Sequence, residues 1–168
     1  MIAPTEKVKK KLEKYGVSEH IKVIPTGLEL DTFRIEKKAD EIHALKQELG
    51  IGRGQPIILS VGRIAEEKNM GAIVSAMPEI LRRLSSVKLV MVGDGPAKEG
   101  LEKQVKKLGI SSAVIFTGAV EWKFINRYYQ LGDVFVSAST TEAQGLTYVE
   151  AMAAGLPVVA RTIQALKM

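Results

Sequence analysis

The chain has 168 residues, of which 46% are hydrophobic and 26% charged, and a formal net charge of +5. This balance is typical of a globular domain with a buried core. Because there is no cysteine and only two histidines, His20 and His43, the sequence excludes disulfides, a zinc ribbon and a thiol nucleophile, and it disfavours a histidine metal cluster or a Ser/His/Asp triad.

The N-terminal part of the chain predicts a helix followed by a short strand. Thr5 can cap a helix in which Val8, Leu12 and Tyr15 form an apolar stripe, and Gly16 can end it. A strand at residues 21–24 then runs into the turn Pro25-Thr26-Gly27. A second amphipathic helix is predicted from about residue 39 to Gly50.

From residue 57 onwards, predicted strands and helices alternate. The strands are continuous apolar runs, typical of strands buried on both faces of a parallel sheet, at residues 57–61, 87–92, 113–116, 134–136 and 158–160. Helices lie between them, and Pro78 should kink or split the first. Because such alternation implies right-handed crossovers, the predicted fold is α/β, a Rossmann-like three-layer domain with a parallel sheet.

Neither a membrane span nor nucleic-acid binding is expected. The longest nearly apolar run, residues 151–160, contains Gly155 and Pro157 and is too short to cross a bilayer. No secretory signal opens the chain, which favours the cytoplasm. The lysine runs at residues 7–14 and 103–107 predict solvated helix faces. Aromatic residues are only 5% of the chain, and no RNA-stacking motif occurs.

The loop after the first long strand carries candidate anion ligands. In a parallel sheet, ligands bind beyond the carboxyl ends of the strands. Arg63 and Lys68 leave the same strand end, so both can converge on one anion, and Gly62 lets the backbone come close. An ordinary charged surface loop is the alternative.

The next two loops carry weaker signals. Gly93-Asp94-Gly95-Pro96 lacks the third glycine of a dinucleotide motif, so it favours a tight strand-to-helix turn around Asp94. The small residues 117–120 could let a flat ring lie against the backbone.

The segment TTEAQGLTYVEAMAAGLPVV, residues 140–159, predicts a polar pocket at a helix start. A helix beginning near Gly145 would point free N–H groups into the crevice and offer a seat for phosphate. Glu150 could accept two hydrogen bonds from a vicinal diol, and Glu142 could reach a second polar group. Alternatively, both acids merely complement the helix dipole, which is worth less than about 1 kcal/mol each.

Four segments in order, VGRIAEEKN, VGDGP, FTGAV and TEAQGLTYVEAMAAGLPVVA, resemble the motif series of the family 4 (group 1) retaining glycosyltransferases. The resemblance covers about residues 25–160. It implies the GT-B fold of two facing Rossmann-like domains, of which this chain would supply the C-terminal half. It also implies a nucleotide-diphosphate sugar as donor substrate.

The resemblance assigns a role to each matching residue. Arg63 and Lys68 would grip the donor diphosphate and stabilise the departing nucleotide, Glu150 would hold the ribose, and Glu142 would hold a sugar hydroxyl. Arg63, Lys68 and Glu142 are therefore the implied catalytic residues. The remaining binding residues would act largely through their backbone, and they are Gly62, Gly118, Val120, Gln144, Gly145, Leu146 and Thr147. No D-x-D pair occurs, so neither a metal nor a cofactor is expected.

Two segments indicate the acceptor. AQGLTY at residues 143–148 and IPTGLEL at residues 24–30 are similar to the bacterial branch that glucosylates diacylglycerol, which makes UDP-glucose the favoured donor. The basic N-terminal helix would suit an anionic membrane surface. We therefore expect a protein that can lie peripherally at the inner face of the membrane.

The resemblance also predicts the domain organisation. Residues 1–27 would be the tail of a missing N-terminal acceptor domain and its linker, and residues 28–168 a donor-binding domain truncated at its C-terminal end. Such a fragment should bind nucleotide weakly without turnover, because the cleft closes between two domains. A nucleotide-sugar epimerase-like domain and a non-catalytic nucleotide-binding module remain alternatives.

Overall fold

The computed structural model describes residues 1–34 and 39–161, so the C-terminal end of the predicted donor domain lies outside the described residues. The strands are β1 Ile2–Ala3, β2 Lys22–Val23, β3 Ile57–Val61, β4 Lys88–Val92, β5 Val114–Gly118, β6 Val134–Ser137 and β7 Val158–Ala160. The helices are α1 Glu6–Lys14, α2 Asp31–Arg34, α3 Ala39–Glu48, α4 Met70–Arg83, α5 Lys98–Lys107, α6 Ile125–Leu131 and α7 Leu146–Ala153.

The main sheet has five parallel strands in the order β5-β4-β3-β6-β7. The chain moves outwards from β3 to β5 and then returns to place β6 on the other side of β3. Such a reversal leaves a crevice at the carboxyl ends of the two central strands, where ligands bind in open α/β sheets. The loops that follow β3 and β6 therefore flank the candidate site.

Helices cover both faces of this sheet. Successive strand residues point to opposite faces, so Ile57 and Leu59 of β3 join one core cluster while Ile58 joins the other. The first cluster is closed by α3, α6 and α7, and the second by α4 and α5. The predicted α/β architecture with three layers is confirmed.

Helix α4 corrects one prediction. Pro78 was expected to kink or split it, but the helix runs from Met70 to Arg83 with Pro78 inside, so the expected split is wrong. The side chains of Ile73, Val74 and Met77 are buried, and this packing outweighs the one backbone hydrogen bond that proline cannot donate.

Smaller differences concern element ends. The strand predicted at residues 113–116 lies at Val114–Gly118, and the helix predicted from residue 121 begins with a 3₁₀ turn at Trp122–Phe124 before α6. Both shifts are within the usual uncertainty of boundaries, because local propensity changes little over one or two residues.

The N-terminal 27 residues form a small lobe. Strands β1 and β2 pair in parallel, and Thr5 caps α1, its hydroxyl accepting a hydrogen bond from the Val8 N–H at 3.2 Å. The apolar stripe predicted for α1 is not buried: no residue of this helix is buried, and Tyr15 is 71% exposed. In the described part of the chain, no helix combines the length and apolarity needed to cross a bilayer.

Candidate functional site

The loop after β3 places Arg63 over a small cavity. This cavity, about 260 Å³ in volume, is bordered by Gly62, Arg63, Gly93 and Val120 at the carboxyl ends of β3, β4 and β5. Arg63 is exposed, and no described acidic side chain forms an ion pair with it. Its guanidinium is therefore free to meet an anionic ligand at the rim of the cavity.

Gly93, in the loop after β4, allows this close arrangement. A Cβ atom on Gly93 would lie 2.0 Å from the backbone oxygen of Gly62, and Gly93 adopts a φ of +139°. Asp94 stabilises the turn by accepting hydrogen bonds from the Gly95 N–H at 2.7 Å and from the Lys98 ammonium at 3.3 Å, which lowers the pKa of its carboxyl group. The geometry agrees with the interpretation of Asp94 as a turn residue.

Lys68 makes the main contact across the crevice. It ends a 3₁₀ turn at Glu66–Lys68, and its ammonium donates to Glu142 Oε1 at 2.6 Å in an ion pair whose side chains are 25% and 12% exposed. The Thr140 N–H also donates to the Glu67 backbone oxygen at 2.9 Å. The loops after β3 and β6 are thus held together at the point where the strand order reverses.

Helix α7 begins immediately beside this ion pair. Gly145 precedes its first residue with a φ of +67°, and a Cβ atom there would lie 2.7 Å from Tyr148 Cδ2. Glycine is therefore required at this position. Glu142 is three residues before Gly145, so the α7 N-terminus, with its unpaired N–H groups, lies near Lys68.

Glu150 lies deeper than Glu142. It is only 9% exposed, and the Tyr129 hydroxyl donates to its Oε2 at 2.6 Å. Burial, together with this carboxylate neighbour, raises the pKa of Tyr129 far above its ordinary value. Glu150, the residue predicted to bind the ribose, is thus held in place by Tyr129, a contact that no sequence motif indicated.

Two contacts from the N-terminal lobe also reach this site. The Lys7 ammonium donates to the backbone oxygen of Glu142 at 3.0 Å, and the Thr26 hydroxyl donates to Gln144 Oε1 at 3.0 Å. Sequence reasoning missed both, because the partners are 135 and 118 residues apart and no local pattern links them.

The remaining predicted residues fall on the same edge of the sheet. Gly118 ends β5 with a φ of +75° and accepts a hydrogen bond from the Gly93 N–H at 3.0 Å. Leu146 and Thr147 are partly buried in the first turn of α7. The structure thus groups Gly62, Arg63 and Val120 around one cavity, and it pairs Lys68 with Glu142.

The site lies at the reversal point of an open parallel sheet. Cationic side chains flank it on one side and a helix N-terminus on the other. This is the arrangement of an α/β protein that binds an anionic ligand. Residues 41–167 match the glycosyl transferases group 1 family, and the chain belongs to it. This confirms the family resemblance.

Relatives and solved structures agree with the assignment. The chain is 44% identical over 161 residues to an alpha-monoglucosyldiacylglycerol synthase of Streptococcus pneumoniae, covering 95% of this chain and 36% of the relative. It is 37% identical to an alpha-monoglucosyldiacylglycerol synthase of Acholeplasma laidlawii, covering 95% and 40% of the two chains. Anabaena HepE in complex with UDP and glucose matches with a TM-score of 0.83 at 24% identity, covering 98% of this chain and 44% of that one.

The structural neighbours are GT-B glycosyltransferases, which confirms the predicted fold class. The chain spans less than half the length of these relatives.

Proposed function

We propose that this chain is the donor-binding part of a retaining glycosyltransferase that moves a hexose from a nucleotide-diphosphate sugar, with UDP-glucose as the favoured donor. The observation that carries the proposal is the contact between Lys68 and Glu142 across the crevice, beside the N-terminus of α7. A cation, a sugar-binding acid and free helix N–H groups meet there, and a sugar diphosphate needs all three.

In this proposal the diphosphate lies between the cations and the helix. Arg63 and Lys68 contact its oxygens from the β3 side, and the N–H groups around Gly145 contact them from the other. As the bond between the sugar carbon and the diphosphate breaks, these groups stabilise the charge that develops on the leaving group. The acceptor oxygen bonds to the same carbon on the same face, and its proton passes to the leaving phosphate.

The two acids bind opposite ends of the donor. Glu150, fixed by Tyr129, accepts hydrogen bonds from the ribose hydroxyls, while the base lies in the cavity bordered by Val120. Glu142 accepts a hydrogen bond from a hydroxyl of the transferred sugar. Because Glu142 is paired with Lys68, donor binding in this proposal exchanges this ion pair for two contacts with the donor.

We propose a glycerolipid acceptor. The support is the identity to two relatives described as alpha-monoglucosyldiacylglycerol synthases. Helix α1 and its surroundings are rich in exposed lysine and carry the exposed Tyr15, a composition that favours an anionic membrane surface. The protein would then act at the inner face of the membrane as a peripheral enzyme.

The proposed domain division also follows from the resemblance. Residues 1–27 would belong to an acceptor-binding domain and its linker, and residues 28–168 to the donor-binding domain. The chain by itself would bind nucleotide weakly and transfer no sugar, since the acceptor side of the cleft is supplied by a partner domain.

Calorimetry with UDP and UDP-glucose tests the proposal. We expect both to bind, and Arg63→Ala to weaken both by about tenfold with unchanged thermal stability, because Arg63 is exposed and has no ion-pair partner among the described residues. Absence of UDP binding by the wild-type chain would contradict the proposal. Formation of an epimerised sugar from UDP-glucose would favour the epimerase alternative instead.

A further inference from the structure

The backbone around Lys68 is fastened to the loop after β6 on both sides of this residue. On one side, the backbone oxygen of Glu67 accepts hydrogen bonds from the Thr140 N–H at 2.9 Å and from the Thr140 hydroxyl at 3.0 Å. On the other side, the Asn69 side-chain amide donates to the backbone oxygen of Ala138 at 3.3 Å. Lys68 therefore lies between two anchors, and both are made to residues 138–140.

The turn by itself would hold Lys68 only weakly. It is a 3₁₀ turn of three residues, Glu66–Lys68, and such turns have poorer hydrogen-bond geometry than an α-helix. The ammonium of a lysine also sits on a flexible four-carbon stem, so its average position depends on how firmly the backbone below it is fixed. The anchors at Glu67 and Asn69 supply this support from outside the turn.

Asn69 has two properties that this position uses. Its φ is +48°, in the left-handed region, which asparagine adopts more readily than most residues do. Glycine would adopt the same φ at no steric cost, but it has no side chain that could reach Ala138. Asparagine at this position therefore provides both the bend from Lys68 into α4 and a contact across the crevice.

The loop after β6 gives these anchors a firm base. Ser139 is 1% exposed, and its hydroxyl lies 2.8 Å from the backbone oxygen of Thr141 and 3.3 Å from that of Glu67. The Ser139 N–H donates to Ser137 Oγ at 3.4 Å, and Ser137 Oγ lies 3.0 Å from the Tyr148 hydroxyl of α7. Hydrogen bonds thus connect the turn of Lys68, the loop after β6 and the first turn of α7.

We propose that Asn69 and Thr140 are positioning residues for donor binding: they hold the backbone on either side of Lys68 so that its ammonium meets the diphosphate. The inference rests on the proposed function and adds two residues that act through Lys68 without touching the donor. A diphosphate between Lys68 and the N-terminus of α7 needs these two flanks at a fixed separation. A displacement of about 1 Å is enough to weaken contacts of this kind.

Nuclear magnetic resonance of the ¹⁵N-labelled chain, titrated with UDP, tests this. Thr140→Val removes the hydroxyl and keeps the shape of the side chain, and Asn69→Gly removes the amide and tolerates the left-handed backbone. We expect each change to weaken UDP binding by about threefold, and the two together by about tenfold. Thr141→Val is the matched control and should leave UDP affinity unchanged, because the exposed Thr141 side chain makes no hydrogen bond in the described part of the chain.

The same changes in a Lys68→Met background separate positioning from a general loosening of the fold. If Asn69 and Thr140 act through Lys68, replacing them in this background should change UDP affinity by less than about twofold, because residues that share one contact are not additive. Thr140→Ser keeps the hydroxyl and should bind UDP as the wild type does.

Two results would overturn the proposal: wild-type UDP affinity in the folded variant with both changes, or the same loss of affinity with and without Lys68. Should the variant with both changes fail to fold, Thr140→Val alone gives the same test, since Thr140 is exposed. A wild-type chain that does not bind UDP would overturn the proposed function, and this inference with it.

Discussion

The acid at the mouth of the crevice, Glu142, and the acid in its interior, Glu150, have different surroundings. At the mouth, Glu142 is paired with the Lys68 ammonium, and the two side chains are 12% and 25% exposed. In the interior, Glu150 is 9% exposed and held by the fully buried Tyr129 hydroxyl. The comparison teaches that two acids of one short segment can have different neighbours: the outer one pairs with a lysine, and the inner one accepts a hydrogen bond from a buried tyrosine.

Replacing Glu150 should give the largest effect. Glu150→Ala removes the acceptor of the buried Tyr129 hydroxyl, so we expect the free energy of unfolding to fall by about 2 kcal/mol and UDP binding to be lost. Glu142→Ala is the matched control at the mouth and should change stability by less than about 1 kcal/mol. Chemical denaturation measures both. An equal decrease in the free energy of unfolding for the two variants would contradict the proposed difference between the acid at the mouth and the acid in the interior.

Replacing Lys68 should affect binding more than stability. Lys68→Met removes a charged donor to the diphosphate, so UDP affinity should fall by about tenfold or more, while the free energy of unfolding changes by less than about 1 kcal/mol because the ion pair is partly exposed. Lys107→Met, at the exposed end of α5, controls for the loss of one positive charge. Calorimetry giving the same affinity for both variants would show that Lys68 does not touch the donor.

Removing the charge of Glu142 should raise the affinity for UDP more than the affinity for UDP-glucose. In Glu142→Gln the Lys68 ammonium no longer has to leave a carboxylate, so UDP affinity should rise by up to about fivefold. UDP-glucose should gain less, because its sugar hydroxyl loses a carboxylate acceptor. Parallel titrations with the two ligands measure the difference, and an equal gain for both would remove Glu142 from the sugar site.

The smallest expected effect is a decrease in stability at alkaline pH. Burial raises the pKa of Tyr129 above its ordinary value of 10.0, and burial also raises that of Tyr148. Because the pKa of each tyrosine is higher in the folded state than in the unfolded state, the protonated hydroxyl groups stabilise the fold. This contribution to the free energy of unfolding is fully present below about pH 10 and is lost as the pH rises further. Thermal unfolding between about pH 9 and 11 should show this decline.

Tyr129→Phe should make the decline shallower, whereas Tyr15→Phe, at a position that is 71% exposed, should leave it unchanged. The same slope in the wild type and in both variants would contradict the assignment of the decline to the buried hydroxyl groups.

Much of the fold could be predicted because its signals are local. The apolar run of residues 57–61 is strand β3 as predicted, residues 158–160 are β7, and Thr5 caps α1. The incomplete burial of the α1 stripe could not be predicted, since periodicity shows that a face is apolar without showing what covers it. The continuity of α4 through Pro78 depends on core packing, which a local rule cannot weigh.

The candidate site was predictable in its location and less so in its detail. The rule for parallel sheets leads to the loops after β3 and β6, and the structure brings Lys68 and Glu142 together there. The partner of Glu150 was missed because Tyr129 lies 21 residues away on another helix. Such pairs depend on how helices pack across the sheet, which a single sequence without covariation does not show. The roles assigned to the site residues stay predictions.

A crystal structure of the chain with UDP bound tests the central claim most directly. The account predicts that the diphosphate lies between Arg63, Lys68 and the N-terminus of α7, with the Lys68 ammonium moved from Glu142 to a phosphate oxygen and the ribose hydroxyls on Glu150. UDP bound elsewhere, or bound while the ion pair between Lys68 and Glu142 stays intact and neither cation touches phosphate, would contradict it.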